Sequence, residues 1–516
     1  MSDPARLDLA AAPAAARAHD GAVAAVIDIG SNSVRLVIYR IEGRAPIPIL
    51  NEKVMAGLGR DMPRTRRLSA PGAESALRAL RRFAAILDSV KPHALEVVAT
   101  AAVREAEDGA AFAERVRRET GLKLRILSGE EEARISALGV LGAKPDARGV
   151  VGDLGGSSLE LVEVAEGRLL PGESFSVGPL ALMRGEGFDP VRAGAAIETA
   201  LAGARALRGQ GGDFYAVGGA WRAIGRIDIA VKQHPLHILQ HYEMSRAEAL
   251  KIAEFVRKQS RRSLERLEEA AAKRADLLPY AAVALEHILE RGRFERVILS
   301  SFGLREGLLF DAMPPASLRE HILIAGAEAF AAPTPAIRAF VRALGPWIEP
   351  ALASEPPVFA PDHDALLREA AARMADLGGM LHPDQRDELI FDLVVRAPLA
   401  GVTHRERAFL AACVHHRYTK RPPPAHAIAY TALLSEEERR AAATVGAALR
   451  LGCDAAGRTQ DLLSRFTLKR EAGALVLATK ASDAYLVGEQ AERRLDSLGA
   501  LLGLPVRVAA GPKAEV

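Results

Sequence analysis

Apolar and polar positions in the first 310 residues switch repeatedly between strand-like runs and helical spacing. AAVIDIG (24–30) and ALEVVATAAV (94–103) read as strands, whereas PGAESALRALRRFAAILDSV (71–90) and DGAAFAERVRRETG (108–121) place apolar residues on one helix face. The second of these helices ends at a glycine, which is a typical helix stop. The alternation predicts an α/β fold in which helices cover the sheets.

One phrase occurs twice, as VIDIGSNSVRLVIY (26–39) and as VVGDLGGSSLELVEV (150–164). In each copy a β-forming run reaches an Asp, Asp28 or Asp153. A glycine turn with small polar residues follows, and a second β-forming run returns. This is the pattern of a hairpin. Because the helix and strand alternation restarts after the second copy, the sequence predicts a duplicated domain.

The sequence pattern changes after residue 312, where MPPASLREH is followed by helical patterns rich in Ala, Leu and Arg. The last segment reads as strand, strand, helix, strand. The predicted segments are a disordered leader (1–21), two duplicated halves (22–142 and 143–312), an all-helical domain (313–452) and a small α+β domain (453–516).

Length and composition limit the class of protein. A chain of 516 residues exceeds the size of a single hydrophobic core. No apolar run approaches the roughly 20 residues that a membrane helix needs. The N-terminus carries Asp residues where a secretory signal would be apolar, which favours a cytoplasmic protein. Cys413 and Cys453 have no metal-ligand spacing and are expected to be buried, reduced thiols.

Positive charge is concentrated in local clusters, although the formal net charge is only +3. RDMPRTRRL (60–68), RALRRF (78–83), RVRR (115–118) and RKQSRRSLER (257–266) together suit a polyanionic partner. Aromatic residues make up 5% of the chain and none interleave with these clusters. Stacking platforms for bases are therefore missing, and no nucleic-acid partner is expected.

The tips of the two hairpins have the chemistry of an anion site. Consecutive backbone N–H groups at a glycine turn can bind phosphate oxygens, and glycine allows close approach. The Asp that ends each strand, Asp28 or Asp153, would point into the cleft and hold Mg²⁺ together with waters. The candidate phosphate-binding residues at the tips are Gly30, Ser31, Asn32, Ser33, Gly155, Gly156, Ser157 and Ser158.

The two hairpin motifs, DIGSNSVRLV and DLGGSSLELV, resemble those of the Ppx/GppA family of exopolyphosphatases and guanosine pentaphosphate phosphatases. Three further phrases resemble that family: ATAAVREA (99–106), ILSGEEEARISALGV (126–140) and SSFGLREGLLF (300–310). Sugar kinases and actins of the same superfamily share the hairpins but not these phrases. The resemblance implies two RNase H-like domains of the actin-like ATPase type, followed by an HD-like helical domain.

Three successive carboxylates in SGEEEAR open a predicted helix. Glu130 and Glu131 are expected to complement the helix dipole and to cap its free N–H groups. The resemblance assigns Glu132 the role of the base that activates the attacking water. Like-charged neighbours would raise its proton affinity, which helps it to accept a proton.

The resemblance implies further site residues. The two Asp residues that end the hairpin strands match the family's metal-linked positions. Glu160 matches an acidic position at the catalytic cleft, and Arg104 matches an arginine that grips phosphate with its planar fork of donors. Gly218 and Gly219 occupy a strand-to-helix turn that faces the nucleoside in the superfamily, although a helix N-terminus there could bind an anion instead.

The sequence departs from the family pattern in two places. In DLGGSSLE, Ser157 replaces a glycine and Leu159 replaces a threonine. In the HD-like region Ala375 precedes Asp376, so the metal-binding dyad is broken. The region is expected to be structural and to guide substrate. The histidines not expected to be metal ligands are His382, His404, His415 and His416.

The resemblance therefore implies an Mg²⁺-dependent exopolyphosphatase that releases terminal phosphate from polyphosphate and acts as a homodimer. The identity of any monovalent activator such as K⁺ is left open. Hydrolysis of guanosine pentaphosphate (pppGpp) is the close alternative. A polyphosphate or alarmone sensor without turnover, an ATP-dependent kinase and an assembly ATPase of the actin or Hsp70 kind are more distant alternatives.

Overall fold

The computed structural model describes residues 21–165, 167–183, 187–208, 211–267, 272 and 274–511. The predicted disordered leader lies outside these residues except for Gly21. The chain forms two compact units that divide between Arg319 and Glu320. The finer division of the chain into five segments remains a prediction.

The first sheet of the N-terminal unit contains β1 (Ala22–Ile29), β2 (Val34–Glu42), β3 (Ala45–Val54), β4 (Ala94–Ala99) and β5 (Arg125–Ile126). Its order is β3-β2-β1-β4-β5, in which β1, β2 and β3 are antiparallel and β4 and β5 continue in parallel. The helices between these strands are α1 (Met62–Thr65), α2 (Ala70–Val90), α3 (Ala101–Glu105), α4 (Gly109–Thr120) and α5 (Gly129–Ala143).

The second sheet contains β6 (Gly149–Leu154), β7 (Leu159–Ala165), β8 (Arg168–Leu169), β9 (Glu173–Phe175), β10 (Asp213–Val217), β11 (Glu243–Ser245) and β12 (Arg296–Leu299). Its path β8-β7-β6-β10-β12 repeats the order and strand directions of the first sheet. Its helices are α6 (Pro179–Leu182), α7 (Pro190–Leu201), α8 (Gly219–Val231), α9 (Arg246–Lys258), α10 (Arg261–Leu267), α11 (Leu278–Gly292) and α12 (Leu304–Ala312). The repeated topology confirms two duplicated RNase H-like halves.

Two helices connect the halves. Helix α5 follows the first sheet in sequence, but its apolar residues pack against Val151 and Val162 of the second sheet. Helix α12 follows the second sheet, packs closely on α5 at Gly307, and is tied to β2 because the Tyr39 hydroxyl donates to Glu306 Oε1 over 2.6 Å. Side chains on α5 and α12 are therefore held between the two halves.

The C-terminal unit is mainly helical and ends in a small sheet. Its sheet has the order β13-β14-β15, from β13 (Phe466–Glu471), β14 (Ala474–Lys480) and β15 (Val506–Gly511). Its helices are α13 (Ile322–Ala331), α14 (Pro335–Leu352), α15 (Pro361–Arg373), α16 (Arg386–Val395), α17 (His404–Tyr418), α18 (Ile428–Thr431), α19 (Glu436–Ala455), α20 (Gln460–Leu463) and α21 (Glu489–Leu502). The helical region and the small α+β end are confirmed. None of the helices in the described ranges is long and apolar enough to cross a membrane.

The structure corrects one strand prediction and confirms the burial of the cysteines. The run at 94–103 is not one strand, because β4 ends at Ala99 and α3 begins at Ala101. The first three residues of α3 are all buried: Ala101, Ala102 and Val103. Because every position is apolar, the sequence shows no helical spacing of apolar and polar residues here. Cys413 and Cys453 are buried, free thiols.

Candidate active site

A cleft of about 170 Å³ lies between the hairpins β1–β2 and β6–β7. Residues of both RNase H-like halves line it, together with the starts of α5, α8 and α12. The sequence-predicted residues that line the cleft are Asp28, Gly30, Ser31, Asn32, Ser33, Glu132, Asp153, Gly155, Gly156, Ser158, Gly218 and Gly219. Residues separated by almost 200 positions thus meet at one site.

The two hairpin tips have the same geometry. In the first, Gly30 N donates to Ser33 O over 3.0 Å, and in the second, Gly155 N donates to Ser158 O over 3.0 Å. The Ser157 hydroxyl donates to the Ser31 hydroxyl over 3.0 Å and joins the tips directly. Within the described residues the tip N–H groups at Ser31, Asn32, Gly156 and Ser157 donate no hydrogen bond. Both tips therefore offer free main-chain donors for an anion.

Asp28 and Asp153 occupy equivalent positions near the ends of β1 and β6, and both line the cleft. Burial raises the pKa of Asp28, and the charge of Arg305, whose Nε lies 3.9 Å from Asp28 Oδ2, acts in the opposite direction. Burial likewise raises the pKa of Asp153, although the Ser136 hydroxyl donates a hydrogen bond to its Oδ2. A cation between these carboxyl groups would favour their charged forms.

The Asp pair fits Mg²⁺ in one specific way. Mg²⁺ is usually bound through one or two carboxylates together with waters and substrate phosphates. Among the described residues, no cluster of three or more His, Cys, Asp or Glu side chains could hold a metal on its own. The two Asp residues supply carboxylate oxygens of the type that Mg²⁺ prefers, and waters and substrate phosphates would have to complete the ligand set.

Glu132 differs from the other carboxylates of its phrase. Glu131 forms a capping box with Ser128 at the start of α5, and Glu130 and Glu131 are exposed. Glu132 is only 7% exposed, and its Oε2 accepts a hydrogen bond from Arg104 Nη1 over 2.7 Å. Burial raises the pKa of Glu132 to about 7, although Arg104 opposes the shift. Such a carboxylate is suited to exchange protons near neutral pH.

Arg104 and Glu160 do not line the cleft, but each is next to a residue that does, Glu132 and Asp153 respectively. Arg104 donates to the Leu127 carbonyl over 2.9 Å as well as to Glu132, so it orients the candidate base. Glu160 is 2% exposed and accepts a hydrogen bond from the Ser174 hydroxyl over 2.8 Å. Burial, followed by the charge of Glu132, raises the pKa of Glu160 well above its usual range. Direct contacts of Arg104 or Glu160 with substrate remain predictions.

The turn at Gly218 and Gly219 brings main chain to the cleft. Gly218 has φ = 112°, a conformation that side chains rarely adopt, and a Cβ at this position would overlap the Leu154 carbonyl oxygen. Gly219 begins α8. A Cβ on Gly219 would lie 2.8 Å from Arg274 Nη2. The glycines thus allow the helix start and a guanidinium to share the cleft wall.

Sequence patterns did not single out the cationic side chains of the cleft, which form a cationic wall of Arg35, Lys53, Arg222, Arg274 and Arg305. Burial, and then the charge of Arg305, lowers the pKa of Arg35 and of Arg222 to about 10. Desolvation of its amino group and four neighbouring guanidinium groups lower the pKa of Lys53 to about 7, although the residue is exposed overall. These cations come from separate segments. Arg35 and Arg305 lie inside two of the quoted family phrases, but nothing in those phrases brings the cations together. Their mutual repulsion would be relieved by a polyanion.

The cationic wall continues beyond the hairpin tips. An adjoining cavity of about 360 Å³ shares Arg35, Arg222, Arg274 and Arg305 with the cleft and adds Arg226. Apolar residues of β2 and β3 form part of this cavity. The cleft and the adjoining cavity together can accommodate a ligand longer than a single phosphate group.

Ala375 and Asp376, which stand where the family resemblance implies a metal-binding dyad, have protein partners in the structure. Asp376 Oδ1 lies 3.1 Å from Arg458 Nη1, and the Ala375 carbonyl accepts hydrogen bonds from Arg417 and Tyr418. Both ring nitrogens of His415 are within hydrogen-bonding distance of main-chain carbonyls. An arginine thus supplies the positive charge beside Asp376.

Comparison with known proteins agrees with this architecture. The model of the Ppx/GppA phosphatase family matches residues 37–316, and a model described as exopolyphosphatase, C-terminal, matches residues 354–508. A structure of an exopolyphosphatase from Cytophaga hutchinsonii is 22% identical with a TM-score of 0.53, covering 57% of this chain and 99% of that one. This likeness shows a shared fold.

Two curated relatives have different names. A guanosine-5'-triphosphate,3'-diphosphate pyrophosphatase from Aeromonas salmonicida is 28% identical over 301 residues, 57% of this chain and 60% of the relative. Exopolyphosphatase 1 from Mycobacterium tuberculosis is 34% identical over 139 residues, 26% of this chain and 40% of the relative. The matches thus span at most about 60% of these relatives. Because the first family model alone covers more than half of the chain, the protein belongs to the Ppx/GppA phosphatase family.

Proposed function

We propose that the protein is an exopolyphosphatase, which hydrolyses the terminal phosphoric anhydride bond of inorganic polyphosphate. One observation carries the proposal: a buried glutamate whose pKa is raised to about 7 lines a cleft together with five basic side chains and two hairpin tips that have free main-chain N–H groups. Glutamate suits proton abstraction from water, and the cations suit a polyanionic substrate. The membership of the Ppx/GppA family agrees with both roles.

Glu132 is the proposed general base. It accepts a proton from a water molecule as the water oxygen attacks the terminal phosphorus. The bond between that phosphorus and the bridging oxygen breaks, and the electron pair leaves with the shortened chain. Arg104 holds the Glu132 carboxylate toward the cleft, and Glu160 supplies a buried carboxyl group behind it. Positioning of the base and water is a major part of catalysis in phosphoryl transfer.

The two hairpins and the cationic wall bind the phosphates in this proposal. Free main-chain N–H groups of both tips, with the hydroxyls of Ser31 and Ser33, donate to the terminal phosphate, whereas the Ser158 hydroxyl is hydrogen-bonded to Glu160. The N-terminus of α8 at Gly218 and Gly219 adds donors. Arg35, Arg222 and the neighbouring cations hold the following phosphates, in the cleft and in the adjoining cavity.

Asp28 and Asp153 would hold Mg²⁺ together with the substrate. The ion would neutralise charge on the phosphoryl oxygens. Two carboxylates alone form an incomplete ligand set, so the protein should hold Mg²⁺ weakly enough for EDTA to remove it. We therefore expect EDTA to abolish phosphate release and excess Mg²⁺ to restore it. Colorimetric assay of phosphate with and without EDTA measures this. Unchanged release in EDTA would exclude the metal role of the two Asp residues, and adding K⁺ or Na⁺ would show any monovalent activation.

Hydrolysis of the 5′-terminal phosphate of guanosine pentaphosphate is the second candidate. The longer of the two curated matches, over 301 residues, is to a relative named for that substrate. The apolar part of the adjoining cavity could receive a nucleoside. The chemistry at Glu132 would be the same for both substrates.

The deciding experiment is phosphate release from long-chain polyphosphate with Mg²⁺, with chain lengths followed on a gel and guanosine pentaphosphate assayed in parallel. Shortening of chains from their ends supports the first proposal. Release from guanosine pentaphosphate alone supports the second. Mutual competition would show one site for both. Binding without any release would assign the protein to the sensor class.

The pH dependence of turnover tests the assignment of Glu132. A base must be ionised, and burial raises the pKa of Glu132 to about 7, so kcat/KM should rise with pH through about 7. Arg104 favours the ionised form. We therefore expect Arg104→Gln to move the midpoint to higher pH. A rise in KM as well would support contact of Arg104 with phosphate.

The control for this test is Arg117→Gln, which removes an exposed guanidinium that pairs with Glu114 over 2.6 Å. The profile of this variant should match that of the unmodified protein. A midpoint that does not move in Arg104→Gln would contradict the coupling between Arg104 and the base.

The remaining predictions concern assembly and location. We propose a homodimer in the cytoplasm, with residues 313–452 as a helical HD-like domain that guides substrate and residues 453–516 as a small α+β domain. A light-scattering mass near 55.0 kDa, that of one chain, would contradict the dimer.

A further inference from the structure

The C-terminal unit contains a cavity of its own with unusual charge. Its volume is about 350 Å³, within the range of small-molecule sites. It lies where the segment after α17, one face of α19 and one face of α21 meet. We name it the C-terminal cationic pocket and define it by Lys420, Arg450, Arg494 and Ser497.

The positive charge of this pocket is only partly balanced by the protein. No Asp or Glu of the described residues lines it. The nearby Asp454 Oδ2 accepts hydrogen bonds from Arg494 Nε over 2.7 Å and from Gln490 over 3.0 Å. Lys420 donates only to a neutral group, the Ser497 hydroxyl, over 2.6 Å. His416 at the wall is neutral, because burial lowers its pKa to about 4.

Arg450 is the clearest sign that an anion is missing. Its guanidinium forms no hydrogen bond or ion pair with the described residues, although it is half-buried. Burial, followed by the charge of Arg494, lowers the pKa of Arg450, and the charge of Asp454 opposes this shift only in part. Asp454 pairs directly with Arg494 and not with Arg450, so the partly desolvated Arg450 guanidinium lacks a direct anionic partner, which is unfavourable. A phosphate group suits this place, because two guanidinium forks and an ammonium group can share its oxygens.

The floor of the pocket narrows the class of ligand. Ala443 and Ala447 of α19 and Leu501 of α21 are apolar, and Leu501 is among the exposed large apolar side chains of the protein. An inorganic phosphate chain has no apolar part that could pack on this surface. A ligand with a phosphate group and an apolar body could contact both the basic side chains and the apolar floor.

We propose that the C-terminal cationic pocket binds a small phosphorylated organic molecule of about the size of a mononucleotide. The phosphate is bound by Arg450, Arg494 and Lys420, and the organic part lies on Ala443, Ala447 and Leu501. The pocket uses no residue of the cleft, so this binding is independent of the proposed hydrolysis.

Isothermal titration calorimetry on the full chain tests the proposal with phenyl phosphate, adenosine 5′-monophosphate, inorganic phosphate and tripolyphosphate as probes. The variant Arg450→Gln should weaken binding of the two organic phosphates by about 10- to 100-fold, the usual range for a lost charged hydrogen bond. Arg493→Gln is the control, because Arg493 lies on α21 next to Arg494 but is not part of the pocket lining and pairs with Glu489 over 2.8 Å. It should bind the probes normally.

A second variant separates loss of binding from loss of folding. Ala447→Leu fills the pocket without altering charge and should also block the organic phosphates. Arg450→Gln should keep the melting temperature of the ligand-free protein, because the charge that it removes has no partner. Binding to the cleft is common to all these variants and cancels in the comparison.

Three results would overturn the proposal. One is that neither organic phosphate binds the unmodified protein, and another is that both bind Arg450→Gln and Ala447→Leu normally. The third is that tripolyphosphate binds in an Arg450-dependent way as tightly as the organic probes, because the pocket would then belong to an inorganic chain. Binding of the organic phosphates that both variants lose, and that Arg493→Gln keeps, would confirm it.

Discussion

Replacing Glu132 with Gln is expected to lower the turnover of polyphosphate by about 10²- to 10⁴-fold, the usual contribution of a general base. Gln keeps the size of the side chain and can still accept a hydrogen bond from Arg104, but it cannot take a proton from water. Substrate binding should therefore persist, because the hairpin tips and the cationic wall are unchanged. Phosphate release at saturating substrate and equilibrium binding of polyphosphate measure the two effects separately.

Glu130→Gln is the matched control for this variant. Glu130 is the same residue type on the same helical turn, but it is exposed and lies outside the cleft lining. Its turnover should equal that of the unmodified protein. Equal losses in both variants would point to the charge of the helix start, and unchanged turnover in Glu132→Gln would exclude Glu132 as the base.

Local sequence patterns could predict the elements whose defining residues are contiguous in the sequence. Each hairpin consists of a β-run, a glycine turn and a second β-run, so the pattern gave both tips and the duplication, and the strand register agrees. The same local logic failed at Ala101–Glu105. In a fully buried run of small apolar residues no polar positions alternate with the apolar ones, so the spacing that distinguishes a helix from a strand is absent from the sequence.

The site could be predicted only in part, for a physical reason. Glu132 was selected by its resemblance to a family phrase, and the structure supplies the burial and the bond from Arg104 that set its proton affinity. The cationic wall could not be found in this way. Arg35 and Arg305 lie inside quoted family phrases, but they and Arg222 are far apart in sequence and become neighbours only when strands and helices of the two halves assemble.

The close contact between α5 and α12 explains why the position of Glu132 depends on distant residues. Helix α5 carries Glu132 and Ser136, and the first turn of α12 carries Arg305. The helices approach at Gly139 and Gly307, where glycine leaves room for backbone of the other element. Geometry at the site is therefore set by a helix contact that contains no catalytic group.

Replacing Gly307 with Ala is expected to disrupt this contact. A methyl group there would overlap the Ile135 carbonyl oxygen and lie 3.1 Å from Gly139 N, which are backbone atoms that cannot turn aside. Alanine is favoured over glycine in a helix by about 1 kcal/mol. The overlap should outweigh this gain, because overpacking in a close-packed interior costs about 1–3 kcal/mol. We expect a lower melting temperature together with lower turnover, since α5 and α12 must move apart.

The control is Gly326→Ala in α13, where the added methyl group would meet only Leu399 Cδ2 at 3.7 Å, an ordinary contact. This variant should be neutral or slightly more stable. Thermal unfolding and phosphate release measured on both variants test the idea. If Gly307→Ala melts normally and retains full turnover, the separation of α5 and α12 does not control the site. If it melts normally but loses turnover, the contact sets the position of Glu132 and Arg305 more strictly than it sets stability.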